Sequence, residues 1–230
     1  MKIVTLISLL LFPALYAESQ TAEELVKQVK AKLDLVNDYE ASGTIKTNVV
    51  FIKAPVAKVK VYYKKPNKIR INNESGISFI PKGSVNINLS NLFMNNGNYD
   101  LIDGGKDATT GYRIVKLLPK EENSEIALSV LYIDEKTALI RKARTTTREN
   151  GTYELDMTYG KYASYGLADK VIFSFSTKDY KLPKGVTFDY DDGSKNEQET
   201  ARMKNKTGRV EIVYSSYKIN AGVPDSVFKE

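Results

Sequence analysis

Residues 59–72, VKVYYKKPNKIRIN, contain the pattern that decides the fold. Val59, Val61 and Tyr63 alternate with polar side chains, as expected for a β-strand that buries one face and exposes the other. Pro66 cannot donate a ladder hydrogen bond, so the first strand ends there and the chain reverses into a second one. The stretch therefore predicts an antiparallel hairpin with one apolar and one solvated face.

Period-two alternation continues through most of the chain and predicts a mainly β (α+β) protein with roughly eleven antiparallel strands. Asn-Gly pairs at 96–97 and 150–151 are typical of the turns between neighbouring strands. The predicted strands, including a hairpin at 92–102, are 42–52, 56–64, 68–72, 92–94, 99–102, 112–118, 126–133, 139–148, 152–162, 171–177, 186–190 and 208–220.

One helix is predicted before the strands. Thr21 and Glu24 have the spacing of a capping box, in which each side chain satisfies a free backbone amide of the other residue. Apolar residues then recur at helical spacing and form one stripe that faces a partner surface, and the pattern ends near Asn37. These residues are Leu25, Val26, Val29, Leu33 and Val36.

The first 17 residues have the features of a secretory signal peptide. Lys2 gives a positive start, an apolar run follows, and small residues stand before Glu18. The run is too short for a membrane span, which needs about 20 residues. The chain has no Cys, so neither a disulfide nor a lipidated Cys is available. We therefore expect one domain, residues 18–230, in a bacterial periplasm.

The composition excludes most catalytic chemistry. Without His, the commonest general base and the commonest metal ligand are missing. Carboxylates such as Glu121 and Asp189 lie in polar stretches, where solvated charge is the ordinary explanation, and residues 191–207 are polar with no function assigned. The net charge of +6 is scattered along strands, which suits anionic lipid head groups better than nucleic acid. We expect no enzyme, no cofactor and no metal.

The large apolar residues on the strands have two interpretations. They are either the core of a closed barrel or sandwich, or the concave side of a partly open sheet that holds an apolar ligand. The candidate ligand-binding residues are Val59, Val61, Tyr63, Ile69, Leu155, Met157, Phe173, Phe175, Ile212 and Tyr214.

Residues 64–70, KKPNKIR, resemble the strand–turn–strand signature of the LolA-like family of periplasmic lipoprotein carriers. Further short similarities follow in the family's order and cover most of the chain after residue 17. They are the helix at 22–37, the first strand at 39–46, the hairpin at 94–99, the long strands at 134–159 and the ending at 217–228.

The resemblance implies an incomplete antiparallel β-barrel whose mouth is covered by the N-terminal helix. It also implies a soluble, monomeric carrier of lipoprotein acyl chains, or of another lipid such as a phospholipid, towards the outer membrane. An inner-membrane donor complex and an outer-membrane acceptor are the implied partners. An envelope sensor that binds a protein regulator on the same fold is the alternative. The implied lid and rim residues are Leu25, Val29, Leu33, Lys65 and Arg70.

One departure from the family and one physical requirement complete these expectations. Where the family commonly has Arg before the proline, this chain has Lys65, which is a point donor rather than a planar fork. An acyl chain of roughly 16 carbons costs on the order of 10 kcal/mol to expose to water. A carrier's pocket should therefore be apolar, roomy and poor in specific hydrogen bonds.

Overall fold

The computed structural model describes residues 20–49, 52–53, 56–75, 98–149, 151–176 and 207–229. Several predicted segments lie outside these residues and stay predictions. They are the signal peptide 1–17, the strand and turn that open the hairpin at 92–102, the strand at 186–190 and the polar segment 191–207.

The predicted helix is confirmed as α1 (Ala22–Asp34). The Thr21 hydroxyl accepts a hydrogen bond from the Glu24 amide, and the Glu24 carboxylate accepts one from the Thr21 amide, both at 3.1 Å. The apolar stripe is buried against the sheet, while the helix ends at Asp34, slightly before the predicted position near Asn37.

All neighbouring strands pair antiparallel. Ten strands follow one path in the order β4-β3-β1-β11-β10-β9-β8-β7-β6-β5, and the two-residue β2 pairs with β1. Within the described residues, the end strands β4 and β5 do not pair, so the predicted incomplete barrel is confirmed. The strands are β1 (Asp38–Val49), β2 (Ile52–Lys53), β3 (Ala57–Lys64), β4 (Lys68–Ser75), β5 (Tyr99–Lys106), β6 (Arg113–Pro119), β7 (Ile126–Asp134), β8 (Leu139–Thr147), β9 (Thr152–Thr158), β10 (Lys170–Ser176) and β11 (Thr207–Ile219).

The predicted alternation in β3 is also confirmed. Val59, Val61 and Tyr63 are at most 2% exposed and belong to the face against which α1 packs, here called the concave face. Lys60 points to the opposite, outer face, where its ammonium group lies 3.2 Å from the Glu74 carboxylate. Apolar strand residues and the apolar stripe of α1 therefore form one continuous core.

A β-bulge interrupts the pairing of β1 with β11. Ser42 pairs with Ser216, but the next residue, Gly43, pairs with Tyr214, so Ser215 is an extra residue in β11. A Cβ atom on Gly43 would lie 2.4 Å from the carbonyl oxygen of Val213. Only glycine allows the two strands to approach this closely.

Two predicted strand boundaries are wrong. The segment 42–52 was predicted as one strand, but β1 starts at Asp38 and β2 is separate from it. The segment 152–162 was predicted as one strand, but β9 ends at Thr158 and a 3-10 turn follows at Ala163–Tyr165. The chain turns there because Gly166 adopts a left-handed conformation (φ 65°) and its amide bonds back to Ala163.

Candidate functional site

A cavity of about 80 Å³ lies between α1 and the concave face of the sheet. Leu33 of α1 and Val36 just after it form one side, and the segment after the 3-10 turn adds Gly166, Leu167 and Ala168. The sheet side consists of Leu155, Met157, Val171 and five tyrosines: Tyr39, Tyr63, Tyr214 and Tyr217 on strands, and Tyr159 just after β9.

The structure divides the ten predicted ligand-binding residues into two groups. Tyr63, Leu155, Met157 and Tyr214 line the cavity. The other six pack in or against the surrounding core rather than on the cavity wall; these are Val59, Val61, Ile69, Phe173, Phe175 and Ile212.

The predicted lid and rim residues are also divided. Leu33 lines the cavity, and Leu25 and Val29 are buried in the core that surrounds it. Lys65 contacts the helix end, whereas Arg70 lies on β4 and donates to the backbone carbonyl of Lys229 at 2.5 Å.

The five tyrosines are here called the tyrosine cluster; ring contacts link four of them, Tyr39, Tyr63, Tyr214 and Tyr217. The ring of Tyr39 lies 5.3 Å from the rings of both Tyr63 and Tyr217, measured between centroids. The ring of Tyr214 lies 5.1 Å from that of Tyr217. Ring separations in this range are typical of favourable aromatic contacts.

Strand register explains why these tyrosines meet. Tyr39 is directly opposite Tyr63 in the pairing of β1 with β3. In β11, strict alternation would place Tyr214 and Ser216 on one face, but the extra residue Ser215 shifts the period by one. Tyr217 therefore joins Tyr214 on the cavity wall.

The hydroxyl groups of the tyrosine cluster differ in their partners. Tyr217 donates to the carbonyl of Ala168 at 2.7 Å, and Tyr159 donates to that of Ile140 at 2.8 Å. The Tyr63 hydroxyl is buried and has no hydrogen-bond partner among the described residues. Two of these hydroxyl groups are thus satisfied by the protein itself, and the expectation of a roomy pocket with few specific hydrogen bonds to its ligand stays a prediction.

Burial keeps four of the five tyrosines uncharged. It raises the pKa of Tyr214 to about 12 and raises the pKa values of Tyr159 and Tyr217 further above the ordinary value of 10.0. The pKa of Tyr39 is raised as well, first by burial and then by its neighbours Tyr214 and Tyr63. These phenols are therefore neutral hydroxyl groups at physiological pH.

The C-terminal end of α1 is tied to the β3–β4 turn by Lys65. Its ammonium group donates to the Asp34 carbonyl at 2.8 Å and lies 3.7 Å from the Asp34 carboxylate. The Lys65 amide also donates to the Asn37 carbonyl at 2.8 Å. Lys65 thus neutralises the negative end of the helix dipole and holds the helix to the rim of the sheet.

Two further contacts hold the same end of the helix. Asn220, at the end of β11, donates to the Leu35 carbonyl at 2.8 Å and accepts from the Asn37 amide at 2.7 Å. The Lys32 ammonium group donates to the Thr137 carbonyl in the β7–β8 turn. The helix end is therefore fixed at three separate points around the mouth of the sheet.

Comparison with known proteins identifies the fold. No protein-family model and no curated protein sequence matches the chain significantly. Among solved structures, a LolA superfamily protein from Nitrosomonas europaea matches with a TM-score of 0.58 at 10% identity, over 92% of this chain and 99% of that one. The chain has the LolA-like fold. The fold inferred from residues 64–70 is thereby confirmed.

Two other solved structures share the LolA-like fold with this chain. A DUF1329 family protein from Desulfovibrio piger matches with a TM-score of 0.54 at 11% identity, over 92% of this chain and 98% of that one. A domain from Vibrio parahaemolyticus assigned to outer membrane lipoprotein sorting matches with a TM-score of 0.52 at 10% identity, over 90% and 95% of the two chains.

A second depression, of about 480 Å³, lies beside the loop that follows β5 on this LolA-like sheet. Its lining mixes both signs of charge, including Asp107, Arg141 and Lys142. Arg141 lies 3.0 Å from Asp134, and Lys142 lies 2.8 Å from Glu154, so both cations are already paired. We assign no ligand to this depression.

The described part of the chain contains neither a candidate metal site nor a candidate membrane-spanning helix. No group of three or more acidic, His or Cys side chains is arranged to hold a metal ion there. No helix in the same residues is long and apolar enough to cross a membrane.

Proposed function

We propose that this protein is a periplasmic carrier that binds the acyl chains of lipoproteins, or of other lipids, between α1 and the concave face. The observation that carries the proposal is an apolar concave face covered by α1, whose hydrogen bonds to the sheet, within the described residues, lie near the C-terminal end of the helix. The LolA-like fold, which a domain assigned to lipoprotein sorting shares, supports the same conclusion. The ligand is bound and transferred without a chemical step.

Binding requires α1 to move. A cavity of about 80 Å³ is much smaller than the roughly 300–1,000 Å³ of ordinary ligand pockets. Leu25, Val26 and Val29 occupy the space that an acyl chain would take, and each is at most 4% exposed. When the helix swings away, acyl CH₂ groups replace these side chains at about 0.8 kcal/mol each. Because apolar contacts replace apolar contacts, net binding is moderate and release remains feasible.

The proposal also includes what we expect from the sequence about oligomeric state, export, partners and cofactors. The carrier is a monomer with one domain at 18–230, exported by a signal peptide at 1–17. It takes its cargo from a donor at the inner membrane and delivers it to an acceptor at the outer membrane. It requires no cofactor, and the basic residues scattered on the outer strands bind no nucleic acid.

The first experiment is lipid analysis of the native protein. We expect mass spectrometry to recover acylated lipids from protein purified from its own cell envelope, and the delipidated protein to take up a fluorescent fatty acid. Recovery of no lipid together with no uptake would reject the carrier function.

The second experiment tests the movement of α1. Because the natural chain has no Cys, Lys32→Cys combined with Thr137→Cys allows a short bismaleimide to link the helix end to the β7–β8 turn. We expect crosslinking between these neighbouring sites to slow uptake strongly. The matched control is Lys32→Cys alone treated with the same reagent. Equal uptake rates in both proteins would show that the helix need not leave its position.

A further inference from the structure

The tyrosine cluster changes the kind of ligand for which the cavity is suited. Every described side chain around the cavity is uncharged, yet five of them carry a hydroxyl group. Hydrocarbon alone offers nothing to a buried hydroxyl group, which is disfavoured unless it finds a hydrogen-bond partner. A hydroxyl group that has an acceptor within the protein needs nothing from the ligand. A hydroxyl group without one indicates that the ligand brings a polar atom into the cavity.

Tyr63 provides the decisive observation. It is 2% exposed, it lines the cavity, and its hydroxyl group has no hydrogen-bond partner among the described residues. Tyr159 and Tyr217, by contrast, donate to backbone carbonyls of the protein itself. A buried donor without a partner is energetically costly, so an acceptor supplied from outside the chain would stabilise Tyr63.

Packing keeps the Tyr63 side chain away from solvent. Its ring is held against that of Tyr39 at 5.3 Å, and Tyr39 is in turn held against Tyr217 at 5.3 Å. Tyr63 is the second-to-last residue of β3 and lies between β1 and the end strand β4. The side chain is only 2% exposed, so its hydroxyl group lies inside the core rather than in solvent.

We infer that the Tyr63 hydroxyl group donates a hydrogen bond to a neutral acceptor of the ligand, the carbonyl oxygen of an acyl ester. This inference rests on the proposed carrier function. It adds that the ester group of the lipid enters the cavity together with the acyl chain. A carboxylate or a phosphate is disfavoured because the described lining contains no Lys or Arg to balance its charge. An ester carbonyl needs only a single neutral donor.

Two sources of this ester fit the chemistry. Acyl esters occur in the diacylglyceryl group of a lipoprotein and in a phospholipid, and the Tyr63 hydroxyl group alone does not distinguish them. A synthetic diacylglyceryl peptide and phosphatidylethanolamine, compared as competitors in the assay below, separate the two sources. Tighter binding of the peptide assigns the ester to a lipoprotein, and tighter binding of the phospholipid assigns it to a membrane lipid.

The test is displacement of a neutral naphthylamine dye from the delipidated full chain by three competitors of matched length. They are methyl laurate, tetradecane and sodium laurate. We expect methyl laurate to bind about 10-fold more tightly to the natural protein than to a variant without the Tyr63 hydroxyl group, since one buried neutral hydrogen bond has about that value. Sodium laurate should bind more weakly than the methyl ester.

Tyr63→Phe is the diagnostic variant, because it removes only the unpartnered hydroxyl group. We expect it to weaken the binding of methyl laurate about 10-fold while leaving the affinity for tetradecane unchanged. Tyr62→Phe is the matched control, since Tyr62 is the preceding residue of β3 and faces the outer side; it should bind methyl laurate as the natural protein does. Circular dichroism of both variants checks that they are folded.

The outcomes separate this inference from the carrier function. Equal affinity of the natural protein and Tyr63→Phe for methyl laurate, or tighter binding of laurate than of the methyl ester by the natural protein, would each overturn the role of Tyr63. In both cases dye displacement would still support a carrier. If no competitor displaces the dye, both proposals fail.

Discussion

The concave and outer faces of the sheet shift their titratable groups in opposite directions. On the concave face, burial raises the pKa values of Tyr159 and Tyr217. On the outer face, hydrogen bonds from Lys68 and Lys64 lower the pKa of Asp225. Partial burial alone would raise the pKa of Glu154, but the hydrogen bonds it accepts outweigh burial and lower it. Burial thus disfavours the charged form of these tyrosines, whereas hydrogen bonds from cationic neighbours favour the charged form of the two carboxylates.

This difference bears on the proposed position of the ligand. On the outer face, charged strand residues such as Lys60 and Lys142 are paired with carboxylates of the protein. On the concave face, Tyr63 lines the cavity and retains a donor without a partner among the described residues. In our proposal, the concave face therefore accommodates an additional apolar group that carries one acceptor.

The largest effect is expected from placing a charge on the concave face. Leu155 is 3% exposed and lines the cavity, so Leu155→Asp should cost at least about 4 kcal/mol of unfolding free energy and abolish lipid uptake. Urea unfolding and the fluorescent fatty-acid assay measure the two effects. Phe173→Asp, in the surrounding core, should act similarly.

Lys60→Glu is the outer-face counterpart of Leu155→Asp, and it should leave lipid uptake nearly intact. The side chain of Lys60 is about one-third exposed, so a reversed charge there remains hydrated. If Leu155→Asp and Lys60→Glu lower uptake equally, the assignment of ligand binding to the concave face is wrong.

The next largest effect is an increase in the unfolding free energy, expected from a substitution on the concave face. Tyr63→Phe removes an unpartnered buried hydroxyl group, so it should raise the unfolding free energy of the ligand-free protein by about 1 kcal/mol. Urea unfolding of delipidated protein is the measurement. Tyr217→Phe is the contrasting variant, because it removes a hydrogen bond to Ala168 and should destabilise. A loss of stability in Tyr63→Phe would mean that its hydroxyl group is already satisfied.

A smaller effect is expected where α1 meets the rim between the two faces. Lys65→Met removes the hydrogen bond to the Asp34 carbonyl and should cost about 1 kcal/mol, since this contact is partly exposed. Amide hydrogen exchange in the last turn of α1 should accelerate, while Lys65→Arg should retain most of the protection. Unchanged exchange in Lys65→Met would show that Asn220 and Lys32 suffice to hold the helix.

The smallest effect concerns pH and the outer face. The pKa of Glu154 is lower in the folded chain than its ordinary value of 4.5, so its contribution to stability is present above pH 4.5 and is lost as pH falls through the folded value. Solvent screening limits this contribution to about 0.5 kcal/mol. Glu154→Gln should therefore narrow the stability difference between pH 7 and pH 3. The same pH dependence in both proteins would contradict the role of the pair with Lys142.

Local patterns in the sequence predicted much of the fold. The capping box joins residues only three positions apart, and the alternation of Val59, Val61 and Tyr63 depends on neighbours in one strand. Both features follow from backbone geometry within a few residues. For this reason, α1 and most strands are found near their predicted positions.

The candidate site was only partly predictable because its residues meet through distant pairing. Tyr39 and Tyr159 lie at or just beyond strand ends, and Tyr217 reaches the cavity only because of the extra residue Ser215. A strict period-two pattern assigns Tyr217 to the wrong face. The contact between Lys65 and Asp34 could not be predicted from the sequence either, because Asp34 is on the helix and the contact depends on how α1 crosses the rim.

The pairing of β1 with β11 has a consequence for the order of folding. Every other long strand pair joins segments that follow one another along the chain, whereas Tyr39 pairs with Ile219. Contacts between such distant residues form late, because a long loop must close first. Tyr39 lies on β1, and Tyr214 and Tyr217 lie on β11. We therefore expect the cavity between α1 and the sheet to be completed late in folding, once β11 has paired with β1.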